Sequence, residues 1–237
     1  MKKKLAVVQS NYIPWKGYFD LINMVNEFIL YDDAQYTRRD WRNRNLIKTR
    51  AGLQWLTIPV DVKDKYYQKI RETKVNDPDW GRKHWASLLH NYGKARYFNL
   101  YRDLFEPLYL DNREEYLSQV NFQFMTAICN ILGITTRLSW SMAYPLGEGK
   151  TDKLVTFCRN VGATHYVSGP SAKNYIDEEM FAAEGITVSY IDYTHYPTYS
   201  QLHGKFEHGV TILDLLFNEG PNAPRFMKSF GYPQGND

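Results

Sequence analysis

A chain of 237 residues can bury one large or two small hydrophobic cores, and 43% hydrophobic and 23% charged residues are typical of a globular protein. A net charge of +3 is too small to indicate non-specific binding to nucleic acid, so we expect no DNA partner. The start has no apolar leader and no run is long enough to cross a bilayer, so we expect a cytoplasmic protein without membrane insertion.

Apolar runs near the start of the chain predict the opening of a parallel α/β sheet. They indicate strands at residues 4–8 and 27–31, and apolar side chains at helical spacing predict a helix at 17–26 between them. An alternating pattern over 54–60 predicts a further strand. Strand, helix and strand in this order are typical of a parallel sheet.

Residues 61–133 interrupt this pattern, and we predict a helical insertion there. After a polar, turn-rich stretch, helical patterns cover residues 79–90, 99–109 and 114–132. The last of these helices should end at Gly133, because glycine readily adopts the left-handed conformation that terminates a helix.

The remainder of the chain returns to alternating strands and helices. The predicted elements are strands at 136–140, 166–167 and 186–193, and helices at 151–161, 177–183 and 211–218. This alternation predicts a Rossmann-like α/β fold, a parallel sheet of about five strands with helices on both faces, in a single domain over residues 1–237. The tail, residues 220–237, is rich in Pro, Gly and Asn, and we expect it to be loose.

The reactive residue types give no sign of metal or nucleophilic chemistry. Cys129 and Cys158 each lie on an apolar face of a predicted helix, so we interpret them as buried, unreactive thiols. The histidines show no metal-ligand spacing, and no Gly-x-Ser-x-Gly motif is present. We therefore predict no metal site and no serine or cysteine nucleophile.

The segment 32–48, here called the basic segment, has the composition of an anion-binding site. Two adjacent acids are followed by four arginines and a lysine between residues 38 and 48, with Trp41, Asn43 and Asn45 among them. Arginine grips phosphate or carboxylate with a planar fork, and tryptophan offers a flat face to a ring. The alternative is a surface hairpin with a solvated charged face.

Most of the unusual polar and aromatic residues follow the ends of predicted strands. In parallel α/β sheets, ligands bind beyond the carboxyl ends of the strands. We therefore predict a binding site made of Gln9, Asn11, Tyr12, Trp15, Asp32, Asp33, Gln35, Tyr36, Trp41, Arg42, Asn43, Arg44, Asn45, Lys48, Ser168, Ser171, Lys173 and Gln201.

The loop from Ser168 to Lys173 is a weaker phosphate signal. It is small, contains glycine and hydroxyl groups, and precedes a predicted helix, so its N–H groups and the Lys173 ammonium could hold a phosphate. The spacing of a P-loop is absent, and an ordinary β–α turn explains the loop equally well.

The adjacent acids Asp32 and Asp33 are our candidates for a catalytic general base. Successive residues at a strand end point in opposite directions, so we expect only one of them to face the cleft. The alternative is a turn or an ion pair with the neighbouring arginines.

The chain resembles the WbqC-like protein family. The matching stretches lie in one order along most of the chain and include Gln9–Asp20, Asp32–Tyr36, Trp41–Lys48, Trp55–Val60, Lys83–Trp85, Ser168–Tyr175, Ser200–Phe206 and Ile212–Asn218. Ser10 stands where the family usually has proline. The resemblance implies a role in the synthesis of O-antigens and other surface polysaccharides.

The activity that the resemblance implies is transfer of an acyl or aminoacyl group, for example glycyl, to the amine of a nucleotide-linked amino sugar. The protein would need an activated donor and no permanently bound cofactor. Arg42, Arg44 and Lys48 would hold the diphosphate, with little effect of the arginines on stability. Trp15 or Trp41 would stack on a base or sugar, and Asp33 or Asp32 would take the proton of the attacking amine.

Two other functions stay open at this point. One is a non-catalytic protein that binds sugar nucleotides in the same pathway. The other is nucleotidyl transfer or amino-acid adenylation, although Trp15 and Tyr18 stand where the histidines of a nucleotidylyltransferase signature would be expected.

Overall fold

A parallel β-sheet forms the centre of the structure, a computed structural model that describes residues 2–231. The strands are, in chain order, β1 (Lys4–Val8), β2 (Glu27–Leu30), β3 (Arg44–Thr49), β4 (Gly52–Thr57), β5 (Arg137–Trp140), β6 (His165–Ser168) and β7 (Thr187–Tyr190). The sheet has the order β5-β2-β1-β6-β7 with parallel pairing throughout, and β3 and β4 form a separate antiparallel hairpin.

Strand β1 is the centre of this sheet and the point where the strand order reverses. The chain first adds β2 and β5 on one side of β1, and it then crosses to add β6 and β7 on the other side. Leu5 accordingly lies opposite both Glu27 of β2 and Tyr166 of β6. Such a reversal opens a crevice at the carboxyl ends of the two flanking strands, which is where open α/β sheets bind ligands.

Helices cover both faces of the sheet, as the sequence predicts for a Rossmann-like fold. They are α1 (Lys16–Asn23), α2 (Trp80–Tyr92), α3 (Phe98–Leu110), α4 (Leu117–Leu132), α5 (Lys150–Val161), α6 (Glu178–Ala183) and α7 (Ile212–Glu219). Within residues 2–231, no helix combines the length and the apolar character needed to cross a bilayer.

Alternation along β1 distributes its side chains between two hydrophobic clusters. Ala6 belongs to the larger cluster, together with Phe19 of α1. Leu5 and Val7 belong to the smaller cluster, together with Phe157 of α5. Because successive strand residues face opposite sides, this division places α1 on one face of the sheet and α5 on the other.

Helices α2, α3 and α4 lie between the hairpin and β5 in the chain, in the segment where we predict a helical insertion. Their side chains join the larger cluster, where the Trp85 ring stacks on Phe98 and Tyr109 with centroid separations of 5.6 and 5.8 Å. Whether this segment is an insertion within one domain stays a prediction.

Helix α4 begins three residues later than the sequence pattern suggests, because the chain before it is used for strand-like pairing. The Val75 N–H donates to the Glu115 carbonyl over 2.9 Å, and the Leu117 N–H donates to the Thr73 carbonyl over 2.9 Å. Lys74 and Tyr116 form an antiparallel bridge between these contacts. The main chain at 115–116 is therefore extended.

The tail is packed over much of its length, and our expectation of a loose tail is wrong there. Residues Gly220–Phe226 form a short 3-10 helix, and Met227 is fully buried. The Asp20 carboxylate accepts hydrogen bonds from the backbone N–H groups of Lys228 and Ser229, at 3.0 and 2.9 Å. The part of the predicted tail at 232–237 lies outside the described residues.

Both cysteines are core residues, as predicted. Cys129 packs in the larger cluster and Cys158 in the smaller one, and the two thiols are unpaired. Burial raises the pKa of each thiol to about 12, so both stay protonated at neutral pH.

Candidate functional site

The loop after β1, residues 9–15 and here called the first loop, is fastened to the basic segment. The Tyr12 N–H donates to the Trp41 carbonyl over 3.1 Å. The buried amide of Asn45 donates to the carbonyls of Tyr12 and Ile13 over 3.1 and 3.0 Å. Asn45 thus fixes the path of the first loop from the start of β3.

The same contacts hold a strained residue in place. Ile13 has a φ of 38°, in the left-handed region, and its side chain is fully buried. A β-branched residue rarely adopts this conformation, which costs on the order of 1–3 kcal/mol and occurs mainly where surrounding structure enforces it. The first loop is therefore a rigid platform for the side chains on either side of Ile13.

Arg42 serves the same platform from inside the protein. Its guanidinium is buried, donates to the Asn11 side-chain oxygen and pairs with the Asp40 carboxylate at 3.5 Å. It also donates to the Gln9 carbonyl at 3.4 Å. The guanidinium that we predict as a ligand of the diphosphate therefore orients the first loop.

A cavity of about 340 Å³ opens where the strand order reverses, and we call it the switch-point cavity. Val7, Val8 and Gln9 line it from the end of β1. From the end of β6 and the following turn it is lined by Ser168, Gly169, Ser171 and Ala172. Three of the residues predicted from sequence, Gln9, Ser168 and Ser171, therefore meet in one cavity of the size that small ligands occupy.

Two lysines and several tyrosines complete the wall of the switch-point cavity. Lys150 and Lys153 come from the first turn of α5, and neither makes a hydrogen bond or ion pair with a described residue. The tyrosines are Tyr18, Tyr31, Tyr166, Tyr175 and Tyr193. The described lining contains no carboxylate, so the cavity has a net positive charge.

A second cavity of about 310 Å³, here called the tryptophan pocket, also borders the first loop. Its lining consists of Asn11, Pro14, Trp15, Trp41, Asn45, His208 and Gly209. Four of these residues belong to the predicted site. The first loop, the start of the hairpin and the loop before α7 meet here, because the Pro14 carbonyl accepts from the Ile212 N–H and the Leu46 carbonyl from the Thr211 N–H.

His208 gives the tryptophan pocket a titratable group. Partial burial and the nearby Lys16 ammonium lower the pKa of His208, and Glu207 opposes them weakly. The imidazole forms an edge-to-face contact with Phe206, at 4.5 Å between centroids, and makes no hydrogen bond with a described residue. It is therefore neutral near pH 7 and able to accept a proton.

An aromatic contact joins the walls of the two cavities. Trp15 lines the tryptophan pocket, Tyr193 lines the switch-point cavity, and their ring centroids are 5.1 Å apart. Gly17 lets the indole lie close to the backbone, because a Cβ at that position would be 2.3 Å from the Trp15 ring. A wall residue of one cavity therefore contacts a wall residue of the other.

The adjacent acids have different surroundings, and neither is a free carboxylate. Asp32 is fully buried and accepts from the Ser10 N–H at 2.8 Å and the Ser118 hydroxyl at 2.5 Å. Burial raises the pKa of Asp32, and these bonds only partly offset that effect. Its contacts are those of a residue that joins the first loop to α4.

Asp33 is engaged by cations outside the cavities. Its carboxylate pairs with Lys69 and Arg71, each at 2.9 Å, and accepts from the Ser141 hydroxyl at 2.9 Å. Burial would raise the pKa of Asp33, but these partners outweigh it and the pKa lies below the usual value. A carboxylate held in this way is a weak base. Its role as the proton acceptor stays a prediction. An ion pair is present, but with Lys69 and Arg71 and not with the arginines of the basic segment.

Several other predicted residues are placed in the interior. Tyr12 is fully buried, and its hydroxyl bonds to His84 and Tyr109 at 2.9 and 3.2 Å, so it cannot contact a ligand in this arrangement. The buried Asn43 amide donates to the Ile58 carbonyl at 2.8 Å. Tyr36 is also buried.

Lys48 and Gln201 are brought together, as the sequence suggests, but inside the protein. The buried Lys48 ammonium donates to the Gln201 side chain at 2.7 Å and to the Lys205 carbonyl. The Gln201 amide in turn donates to buried Asp214 of α7 at 2.8 Å. To bind a diphosphate, Lys48 would have to give up these contacts.

The remaining predicted residues lie outside both cavities. The Arg44 guanidinium covers the Trp55 ring at 4.0 Å and donates to the Arg39 carbonyl. Gln35 donates to the Tyr66 carbonyl at 2.8 Å. The Lys173 ammonium lies over the Tyr190 ring at 5.1 Å. The end of the basic segment forms strand β3 of the hairpin, as the alternative held. Arg42 and Lys48 are buried, whereas Arg38 and Arg39 are exposed.

The main omissions from the predicted site are His208, Lys150 and Lys153. His208 carries no motif, and only the meeting of the first loop with the loop before α7 reveals it. The two lysines could have been found from the sequence. Lys150 and Lys153 are three residues apart, which places them on one face of a helix, and they directly follow a Gly-Glu-Gly loop.

Comparison with known proteins gives a family but no activity. The sequence pattern described as "WbqC-like protein family" matches residues 9–226. The chain is similar to the uncharacterized protein Rv1507c of Mycobacterium tuberculosis (strain ATCC 25618 / H37Rv), at 53% identity over 226 residues, which cover 95% of this chain and 98% of that protein. No solved structure matches the chain.

Proposed function

The chain belongs to the WbqC-like protein family, and we propose that it transfers an acyl or aminoacyl group to the amine of a nucleotide-linked amino sugar. The amide product would be a building block of surface polysaccharides such as O-antigens. The family resemblance supports the reaction class. The geometry of the site supports the role that we assign to each residue.

The observation that carries the proposal is the pairing of two unlike cavities. The switch-point cavity is cationic, and the tryptophan pocket is aromatic with a neutral imidazole on its wall. A sugar nucleotide has the same two parts, an anionic diphosphate and a ring with an apolar face. Trp15 of the tryptophan pocket contacts Tyr193 of the switch-point cavity, which suits a ligand that extends across both.

In the proposed reaction, the sugar lies in the tryptophan pocket with one face on Trp15 or Trp41. Its amine nitrogen attacks the carbonyl carbon of the activated donor, a C–N bond forms, and the bond between that carbon and the donor's leaving group breaks. The amine must lose a proton as the C–N bond forms. His208 is the group in this pocket that can accept it.

His208 fits this role better than the carboxylates. Asp33 is held by two cations, and Asp32 is enclosed by the first loop and α4. A catalytic base must be accessible to the reacting proton, and its pKa should lie near the operating pH. His208 is exposed at the pocket wall, and the pKa of an imidazole, although lowered here, is closer to neutral pH than that of a carboxylate held by two cations.

The transfer can be tested by mass spectrometry of the sugar nucleotide. The protein is incubated with uridine- or thymidine-diphosphate amino sugars and with either an acyl thioester of coenzyme A or glycine and ATP. We expect a new amide on the amino sugar and none on the matched nucleotide whose sugar carries a hydroxyl in place of the amine.

The other functions predict different results in the same experiment. Tight binding of the sugar nucleotide without product from any donor would favour a non-catalytic binding protein and contradict transfer. Exchange of pyrophosphate into ATP without an amino sugar would instead favour adenylation or nucleotidyl transfer.

A further inference from the structure

The charge of the switch-point cavity has no internal partner. Lys150 and Lys153 face it from the same side of α5, and neither pairs with a described residue. Asp152 lies between them in sequence but does not line the cavity, and its carboxylate accepts from the Glu148 N–H at 2.8 Å. Two ammonium groups at one cavity wall repel each other, so an anion placed between them would be stabilised by both.

The rest of the cavity is suited to a ring and its substituents. Tyr166 and Tyr18 are buried with their side chains at the wall, and Val8 adds apolar surface. Ser168 and Ser171 supply hydroxyl groups at the end of β6. Apolar walls with a few polar groups are typical of cavities that bind small molecules.

We propose that the switch-point cavity binds a nucleoside diphosphate, with Lys150 and Lys153 as the phosphate ligands and the tyrosine-lined part around the nucleoside. This assignment rests on the proposed function only in naming the nucleotide as the carrier of an amino sugar. In this assignment the phosphate ligands are the two lysines at the start of α5 and not the arginines of the basic segment.

The engagement of the arginines supports this change. Arg42 is buried against Asn11 and Asp40, and Arg44 lies on Trp55. Binding phosphate through them would break contacts that hold the first loop. Lys150 and Lys153 would give up no hydrogen bond or ion pair with a described residue on binding phosphate, and the positive end of the α5 helix dipole adds to their attraction.

The test is calorimetric titration of the full chain with uridine, thymidine and guanosine diphosphates. We expect at least one to bind, and Lys150→Ala with Lys153→Ala to weaken that affinity about ten- to a hundredfold, because charge-assisted contacts to phosphate are lost. Lys94→Ala is the matched control, since Lys94 is an exposed lysine that lines neither cavity and does not belong to the predicted site. The control should keep the wild-type affinity.

Two results would overturn the assignment. One is that none of the three diphosphates binds, and the other is that the double lysine variant binds as tightly as the wild type. The outcome is separable from that of the transfer assay. Lysine-dependent binding without amide formation would support this site and contradict the proposed reaction. Amide formation that is unchanged in the double lysine variant would support the reaction and contradict this site.

Discussion

At the scale of single residues, His208 shows how a group without a sequence motif can become the best candidate for chemistry. Burial and Lys16 lower its pKa, so the neutral form extends to lower pH than for an ordinary histidine. Asp33 is the natural comparison, because it is the carboxylate that the sequence favours and the structure pairs with cations.

We expect His208→Gln to reduce turnover of the amino sugar about 10²–10⁴-fold, the usual contribution of a positioned base, with little change in nucleotide affinity. Since the base must be unprotonated, the acid limb of the wild-type pH profile should lie below the ordinary histidine value of 6.5. Asp33→Asn serves as the comparison in steady-state assays. A large loss in Asp33→Asn with normal turnover in His208→Gln would restore the carboxylate as the base.

Arg42 illustrates a predicted ligand that has become a structural residue. Because its guanidinium orients Asn11 and pairs with Asp40, Arg42→Ala should lower the free energy of unfolding by about 1.5–3 kcal/mol. This replaces our initial expectation of unchanged stability. Denaturant unfolding checks it, with Arg50→Ala as an exposed arginine control from the same region. Equal stability of Arg42→Ala and wild type would show that the contacts contribute little.

His84 couples the stability of the core to pH. It is buried between the Tyr12 hydroxyl and the Thr57 carbonyl, and burial lowers its pKa from 6.5 to about 4. The unfolded chain therefore binds more protons than the folded one between these pH values. The associated stability, about 3 kcal/mol, is fully present above pH 6.5 and is lost as the pH falls towards 4.

Unfolding experiments at pH 4 to 7 test this coupling. We expect His84→Gln to flatten the pH dependence in this window, whereas His90→Gln, an exposed histidine on the same helix, should keep the wild-type slope. An unchanged slope in His84→Gln would assign the acid sensitivity to other groups.

At the scale of elements, α2 and α3 approach so closely that only glycine fits at their contact. A Cβ on Gly81 would be 2.0 Å from the Tyr109 carbonyl oxygen, which belongs to the backbone and cannot rotate away. We expect Gly81→Ala to separate the helices and cost about 1–3 kcal/mol of stability, despite the better helix propensity of alanine. The Trp85 stack on Tyr109 should be disturbed with it.

Thermal unfolding followed by tryptophan fluorescence measures this effect. Gly169→Ala is the control. The nearest atoms to an added Cβ at this position belong to the Tyr193 side chain and lie 4.0 Å away, which is an ordinary contact distance. Normal stability of Gly81→Ala would mean that the two helices can shift apart without loss of packing.

At the scale of the whole molecule, the proposed ligand would extend across both cavities. The switch-point cavity would take the nucleoside diphosphate and the tryptophan pocket the sugar, and Tyr193 of the first cavity contacts Trp15 of the second. A substitution in the tryptophan pocket should therefore weaken binding of the complete sugar nucleotide but not of the free nucleoside diphosphate.

Trp41 provides the test because it is 42% exposed at the tryptophan pocket. We expect Trp41→Ala to weaken binding of a complete amino-sugar nucleotide about three- to tenfold, the effect of losing one ring contact, and to leave the affinity for the free nucleoside diphosphate unchanged. Tyr66→Ala, an exposed aromatic outside both cavities, is the calorimetric control. Equal losses for both ligands would contradict the division.

The fold was largely determined by local sequence pattern. Apolar runs and helical periodicity identified every strand of the parallel sheet and each of the helices α1 to α7, because burial of one face leaves a period in the sequence. The strand β3 was missed since its apolar residues, Leu46 and Ile47, are surrounded by cations. The position of the site at the carboxyl ends of the strands followed from the sheet type.

The roles of the individual residues were decided only by the tertiary structure. Sequence shows that Arg42 and Lys48 are charged, but their burial depends on Asn11 and Gln201, which lie far away in the chain. It likewise cannot show that Lys150 is unpaired at a cavity wall. Pairing, burial and the pKa values that follow from them are properties of long-range contacts, whereas secondary structure is mainly a property of neighbours along the chain.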